Sequence, residues 1–413
     1  MGNISELLNN NKVYTEYCFY RLFEGCTGIK NASQLTFSNE TLAESCYRSM
    51  FEGCTSLIIP PELPATILSD SCYEDMFSGC TALTSAPKLS ATTLADYCYT
   101  NMFKGCTSLT SAPELPAETL TSHCYANMFS GCVALKSITE LSAKRLAPHC
   151  CQSMFYGCIS LTSVVTQISA TSLANYCYAN MFEGCTSLET APILLAATLA
   201  PHCCENMFYG CNLLKYIDLR ITALTAFASC CENMFRGCTK LETIPILQST
   251  TLADSCYANM FYGCELLTTA PSLPATTLAP HCCENMFNGC ISLTKSPALK
   301  ATTLADYCYT NMFSGCTSLT TVGTISAIIL AESCCDSMFN NCASLRIAPA
   351  LPAETLASSC YANMFSGCES LIEAPALPAT TLALSCYKNM FSGCSSLKIA
   401  PALPATKLAI HCY

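Results

Sequence analysis

The sequence predicts an α/β repeat solenoid of about 15 units of 26 residues, each a short helix followed by a short strand that pairs in parallel with its copies above and below. Three observations carry this. A leading cysteine recurs from Cys18 to Cys412 at a step of 26, interrupted by one step of 28 and two of 27. Each interval copies the unit seen from Leu94 to Pro116, with its Met102-Phe103-Lys104-Gly105-Cys106 core. A unit this short cannot bury its apolar face alone, so neighbours must stack to build a continuous core. The register divides the chain into an N-terminal cap segment, 1–17, and a single solenoid, 18–413, whose last repeat is incomplete.

Within the reference unit, advancing about 100° per residue gathers Leu94, Ala95, Cys98, Tyr99, Met102 and Phe103 on one half-turn and leaves Asp96, Tyr97, Thr100, Asn101 and Lys104 on the other. Thr93 is placed to accept from a first-turn N–H. Pro148, Pro201 and Pro280 occupy the Asp96 position, which suits a helix only in its first turn. The helix is expected to end at Gly105, whose position holds glycine in fourteen repeats and Asn341 in the fifteenth, the two residues that best tolerate a left-handed backbone. Leu109 to Pro113, Thr-rich and proline-ended, is expected to be the strand.

The 413 residues contain no Pro/Gly/Ser-only linker and no block of like charge. Only 12% of residues are charged, yet nowhere do about 18 apolar residues run together as a spanning helix needs, so no membrane insertion is expected. A net charge of −10 with 19 basic residues and no basic file in any repeat position argues against nucleic acid. Residues 1–12 lack the basic-then-apolar order of a signal peptide, and Glu6 stands where myristoylation needs Ser or Thr.

The segment Met102-Phe103-Lys104-Gly105-Cys106-Thr107-Ser108-Leu109, repeated from Phe23 to Leu397, resembles the BspA-like, Treponema-type leucine-rich repeats, with their aromatic-x-Gly-Cys-x-x-Leu stretch and proline-ended strand. The period of 26 is longer than usual there, and the Cys98-Tyr99 pair is an addition. The resemblance implies a surface-binding or adhesive solenoid on a cell surface or phage particle, with no chemistry in the repeat.

Of 36 cysteines, sixteen lead repeats, fifteen follow the Gly105 position, and five (Cys151, Cys204, Cys231, Cys283 and Cys335) replace the tyrosine after the leading cysteine. Identical positions in files read as buried free thiols; inter-repeat disulfides are the alternative. All five histidines (His123, His149, His202, His281 and His411) precede a leading cysteine at a position that points away from it on the helical projection, so an exposed, interchangeable site is expected and a shared metal ion is not. The methionine and phenylalanine files read as core. The asparagine file (Asn101, Asn127, Asn180, Asn206 and others) borders it and is expected to satisfy neighbouring backbone groups. No nucleophile–base pair, carboxylate pair or phosphate-cradling loop stands out, and no enzyme, cofactor or metal is expected.

The repeat positions diverge most between Val133 and Ile246. There Lys136, Glu189, Lys215, Tyr216 and Glu242 replace Ser or Thr on the expected strand, and the proline is lost at Thr139, Val165 and Asp218. These five are the candidate binding residues. Two functions are expected: a non-catalytic binding or adhesion solenoid recognising a protein or glycan surface, or a structural subunit of a filament or of a phage or cell-surface appendage that self-associates end to end. The second draws on the last repeat, which is regular through Gly393 and is followed by Leu403–Tyr413 without a further Met-Phe-x-Gly-Cys. A thiol-rich metal or redox store is the weakest reading.

Overall fold

The computed structural model describes residues 15–37, 41–138, 141–164 and 167–413. Contacts group the chain into two compact units. Unit one is Met1–Leu195 with Met207–Leu214, and unit two is Ala196–Asn206 with Lys215–Tyr413. Both are stacks of the same repeat, so the structure of one repeat, named by its reference residues, serves for each.

The expected helix is absent: no helix occurs among the described residues, and the stretch from Ala95 to Cys106 is a chain of tandem turns. Alternate N–H groups close four-residue β-turns within the repeat: Cys98 N–H donates to Ala95 O, Thr100 to Tyr97, Met102 to Tyr99, Lys104 to Asn101 and Cys106 to Phe103, at 2.9–3.4 Å. The intervening N–H groups cross to the next repeat: Tyr97 donates to Ser122 O, Tyr99 to Cys124, Asn101 to Ala126, Phe103 to Met128 and Gly105 to Ser130, at 2.8–3.0 Å. Every main-chain donor from Tyr97 to Cys106 is thereby paired, as burial requires. The crossing bonds all point one way, from each repeat to its successor.

This geometry needs a left-handed residue every fourth position. Tyr97, Asn101 and Gly105 have φ of 58°, 55° and 71°, and the same three files are positive throughout the described repeats. Asn341, in the glycine file, has φ 59°, so the left-handed backbone expected there is present, closing a turn rather than a helix. The asparagine file also has its explanation: Asn tolerates this conformation better than other residues with a Cβ. Its side chains bond along the file in places, as from Asn389 Nδ2 to Asn363 Oδ1 at 3.3 Å.

Rung spacing explains why turns displace a helix. Stacked phenylalanines such as Phe103 and Phe129, or Phe287 and Phe313, lie 5.5 and 5.3 Å apart, centroid to centroid. Neighbouring strands are about 4.8 Å apart, whereas a helix with its side chains is about 10 Å across. Repeats stacked this closely on the Phe103 side leave no room for helices. The tandem turns fit, and send half of their hydrogen bonds to the neighbour.

The strand also lies elsewhere than expected. Leu109–Pro113 contributes only the parallel bridge Ser111↔Ser137, and further bridges follow at Leu115↔Leu141 and Thr119↔Arg145. Continuous strands occur after the proline position: β1 Gln167–Ile168, β2 Ile193–Ala196, β3 Leu219–Ile221, β4 Thr225–Ala226, β5 Ile246–Leu247 and β6 Thr251–Leu252. All pairings described are parallel, as expected: Gln167↔Ile193 in unit one, and Arg220↔Ile246 and Thr225↔Thr251 in unit two. Proline decides where the pairing runs on, because it has no N–H to donate. Where the Pro116 position holds Gln248 or Ser326, that N–H reaches Ile221 O at 3.0 Å or Leu299 O at 3.1 Å. Where Pro352 and Pro378 stand in successive repeats, no bridge joins Leu351 to Leu377.

The core is as expected. Cys98, Tyr99, Met102, Phe103, Cys106 and Leu109 are at most 2% exposed, and Leu115, Ala117 and Leu120 line the strand side. Cys106 fills more than space, since its thiol donates to Phe77 O at 3.1 Å, and the same bond recurs from Cys132 to Phe103 and from Cys316 to Phe287. Phe103 O also accepts the Cys106 N–H, so both its lone pairs are used.

Candidate binding face

The five candidate residues lie outside the core, at the corner where the turns give way to the strand side. Lys136, Glu189 and Glu242 are exposed, Lys215 is half-buried, and Tyr216 is 51% exposed. Backbone bonds fix their order. Thr162 N–H donates to Lys136 O and Glu189 N–H to Thr162 O, which puts Lys136, Thr162 and Glu189 in one file of unit one. In unit two, Glu242 N–H donates to Lys215 O at 3.1 Å, so lysine and glutamate occupy the same position on adjacent rungs, with Tyr216 beside them. Of the lost prolines, Thr139 and Val165 lie outside the described residues. Asp218 holds Arg220 in an exposed ion pair, Nε to Oδ1 at 2.9 Å.

Sequence reasoning missed the apolar part of this surface. Leu224 (64% exposed), Ile244 and Ile246 (50%) lie on the same two rungs of unit two as Lys215, Tyr216 and Glu242. The signal was present: Ile246 and Leu224 occupy the positions of Glu114 and Glu118, which are polar in the reference repeat. Elsewhere the Ala-Pro-x-Leu-Pro corners leave shallow grooves, such as one of 460 Å³ between Ile347–Pro352 and Glu373–Pro378. Its lining is alanine, proline, leucine and isoleucine with one carboxylate.

Most of the thiols are buried, Cys26 being exposed and Cys18 and Cys394 half-buried. Burial pushes the Cys80, Cys132, Cys185 and Cys290 thiols up to about 12, so they stay protonated at neutral pH, and all 36 cysteines are free thiols in the structure. The histidine position is not the plainly exposed site expected. The exposed Tyr97 and the half-buried His123, His149 and Tyr176 stack in one file at 4.4–4.7 Å between centroids. Burial, and then the neighbouring His149, lower the His123 pKa. His202 and His281 pair with Glu205 and Glu284, at 2.8 and 2.7 Å, and His281 also stacks on Tyr307. Among the described residues no group of three or more His, Cys, Asp or Glu side chains is placed to hold a metal ion, and no helix is long and apolar enough to cross a membrane.

A family model for the BspA type leucine rich repeat region matches the sequence in overlapping stretches, 6–112, 44–189, 98–220, 149–294 and 310–403. Among solved structures, a leucine-rich repeat protein of Bacteroides ovatus is 21% identical and aligns with a TM-score of 0.51, over 92% of this chain and 86% of that one. A leucine rich cell surface protein of Faecalibacterium prausnitzii is 18% identical with a TM-score of 0.38, over 81% and 82%. At such identity the Bacteroides structure speaks for the fold alone. No curated protein matches the sequence. The parallel, inward-facing leucine files, the aromatic-x-Gly-Cys-x-x-Leu segment in fifteen copies, once with Asn341 for the glycine and once with Ile29 for the leucine, and the family match over most of its length agree: the chain belongs to the BspA-type leucine-rich repeat family.

Proposed function

We propose that this protein is a non-catalytic binding or adhesion solenoid that recognises a protein or glycan surface through the corner and strand side of its central repeats. One observation carries the reading. The repeats hold their turn side nearly constant, while at the Thr110 and Ser111 positions they introduce Lys136, Glu189, Lys215, Tyr216 and Glu242, which have no core, turn or left-handed duty. Leucine-rich repeat proteins are in general binding and adhesion proteins of this sort, and a place on a cell surface or phage particle accords with that family. Neither nucleic acid nor a bilayer fits as the partner, given 19 basic residues spread over 413. The test is to screen the purified chain against a glycan array and immobilised extracellular-matrix proteins, then measure any hit against the triple variant Lys215→Ala, Tyr216→Ala, Glu242→Ala. Loss of binding supports the face; affinity that survives all three changes removes it.

The second reading, a structural subunit assembling end to end, is favoured by the one-way turn ladder. Because each repeat offers only N–H donors to its successor and only carbonyls to its predecessor across the Tyr97–Gly105 segment, two stacks could join there head to tail but not head to head. Light scattering over a wide concentration range decides, since a head-to-tail assembly grows without a fixed stoichiometry.

A further inference from the structure

We propose that the strand-side patch of unit two is a self-association face, at which a second copy of this chain docks by a two-fold contact. This deepens the binding-face reading by naming a partner for the Lys215–Ile246 part of it.

The patch spans two adjacent rungs, 215–225 and 242–251. Its exposed apolar residues are Tyr216, Ile244 and Ile246, with Leu224 further along the rung, beside the β4–β6 pair. Exposed aliphatic residues together with a Tyr and an Arg on the same rung, and charges at Lys215 and Glu242, are the composition of a protein–protein contact rather than of a sugar site. Lys215 and Glu242 sit side by side on neighbouring rungs, held by the Glu242 N–H to Lys215 O bond, and neither side chain makes an ion pair among the described residues. One positive and one negative charge at the same position of adjacent rungs make the surface complementary to itself. A two-fold axis lying along the strands, between the rungs, sets Lys215 of one copy opposite Glu242 of the other, and the reverse, closing two identical ion pairs. The same axis lays Arg220 over Ile246 of the second copy, because Arg220 and Ile246 are partners in the parallel register. Asp218 already neutralises that arginine, so its planar group can cover apolar surface without leaving a charge unpaired.

A stable interface takes about 800 Å² from each partner, more than two rungs provide. The Thr268, Thr269 and Thr276 rung would supply a polar rim, and the dimer is expected to be concentration-dependent rather than permanent.

Sedimentation equilibrium over a wide concentration range tests this. The wild-type chain is expected to rise from the monomer mass of 44.3 kDa to a plateau at twice that value. Lys215→Glu and Glu242→Lys, singly, each place like charges at both ends of the contact and should weaken the dimer by about tenfold or more. The double variant Lys215→Glu, Glu242→Lys restores opposite charges and should recover dimerisation, a rescue that a folding defect could not produce. A wild-type chain that stays monomeric, single variants that dimerise normally, a double variant that does not recover, or growth past the dimer would each overturn the proposal. A chain that stays monomeric yet loses a glycan or matrix ligand in the triple alanine variant leaves the binding face standing and removes only the second copy as its occupant.

Discussion

The two sides of each repeat obey different rules. On the turn side, from Tyr97 to Cys106, every position has one duty: three left-handed residues, two thiols, an aromatic ladder and a one-way set of crossing hydrogen bonds. From Thr110 to Thr119, pairing is broken by prolines in many repeats, continuous strands among the described residues occur only from Gln167 to Leu252, and outward positions accept Lys, Glu, Tyr, Ile and Arg. The turn side holds the stack together and the strand side is free to be used. If so, perturbing the two sides should give unequal results.

The largest inequality should be in stability. Phe313 is fully buried and stacks between Phe287 and Phe339 at 5.3 and 5.6 Å, so Phe313→Ala should cost about 3–5 kcal/mol in a denaturant titration. Glu242→Ala, on the exposed corner, should stay within about 0.5 kcal/mol. Comparable losses would break the division between the two sides.

The thiols give a chemical form of the same contrast. With burial raising Cys132 and Cys290 to about 12, only about one such thiol in ten thousand is ionised at pH 8, so in native protein a disulfide reagent should reach the exposed Cys26 and the half-buried Cys18 and Cys394 and leave nearly all the rest unreacted. Denatured without reductant, it should titrate close to 36 thiols. Finding few would establish inter-repeat disulfides and an oxidising compartment.

The core, the stacking and the parallel pairing were legible because they depend only on which positions repeat. The turns were not. Over twelve residues, the inward set Cys98, Tyr99, Met102, Phe103 and Cys106 advances in steps of four, and a period of four is hard to tell from 3.6 in so short a stretch. Two clues pointed the other way. Asn101 and Gly105 are files of left-handed-tolerant residues four apart, which a helix needs once at its end and not in its middle. Pro148-His149, Pro201-His202 and Pro280-His281 place proline directly before a positive-φ residue, the order of a type II turn as much as of a helix start. The strand was misplaced because Pro113 reads as the end of a strand, whereas proline at the Pro116 position governs where pairing runs on. The apolar half of the binding face was missed because charge substitutions are conspicuous against Ser and Thr, and Ile246 or Leu224 among so many inward aliphatic residues is not.

Smaller effects should distinguish tandem turns from a helix at single positions. In a helix, Asn101→Ala would stabilise by about 0.5 kcal/mol. At φ 55° it should instead cost about 1 kcal/mol, while Asn101→Gly should be close to neutral. Gly105→Ala should likewise cost about 1 kcal/mol, and Gly105→Asn less, because Asn341 already fills that position in another repeat. A stabilising Asn101→Ala, read from the shift in denaturation midpoint, would restore the helix.

The smallest effect concerns the one repeat where the asparagine file carries an acid. Asp75 sits at φ 56° with its carboxyl partly buried; burial first, then Glu74 and Glu52, raise its pKa to about 6, against the Asn101 hydrogen bond and Arg48, which lower it. In the unfolded chain it titrates near 4. The folded protein therefore binds the proton more tightly, so Asp75 is best tolerated below about pH 4, and that stability is lost as pH rises through about 6. Asparagine, which other repeats use here, cannot ionise. Asp75→Asn should match wild type at pH 4 and be more stable above pH 7 by about 1 kcal/mol, the shift being discounted for the solvent that still reaches the carboxyl. Thermal unfolding of both proteins across this range provides the check. A difference that is the same at pH 4 and pH 7 would mean that ionisation plays no part, and that the turn side tolerates a carboxylate as readily as the strand side does.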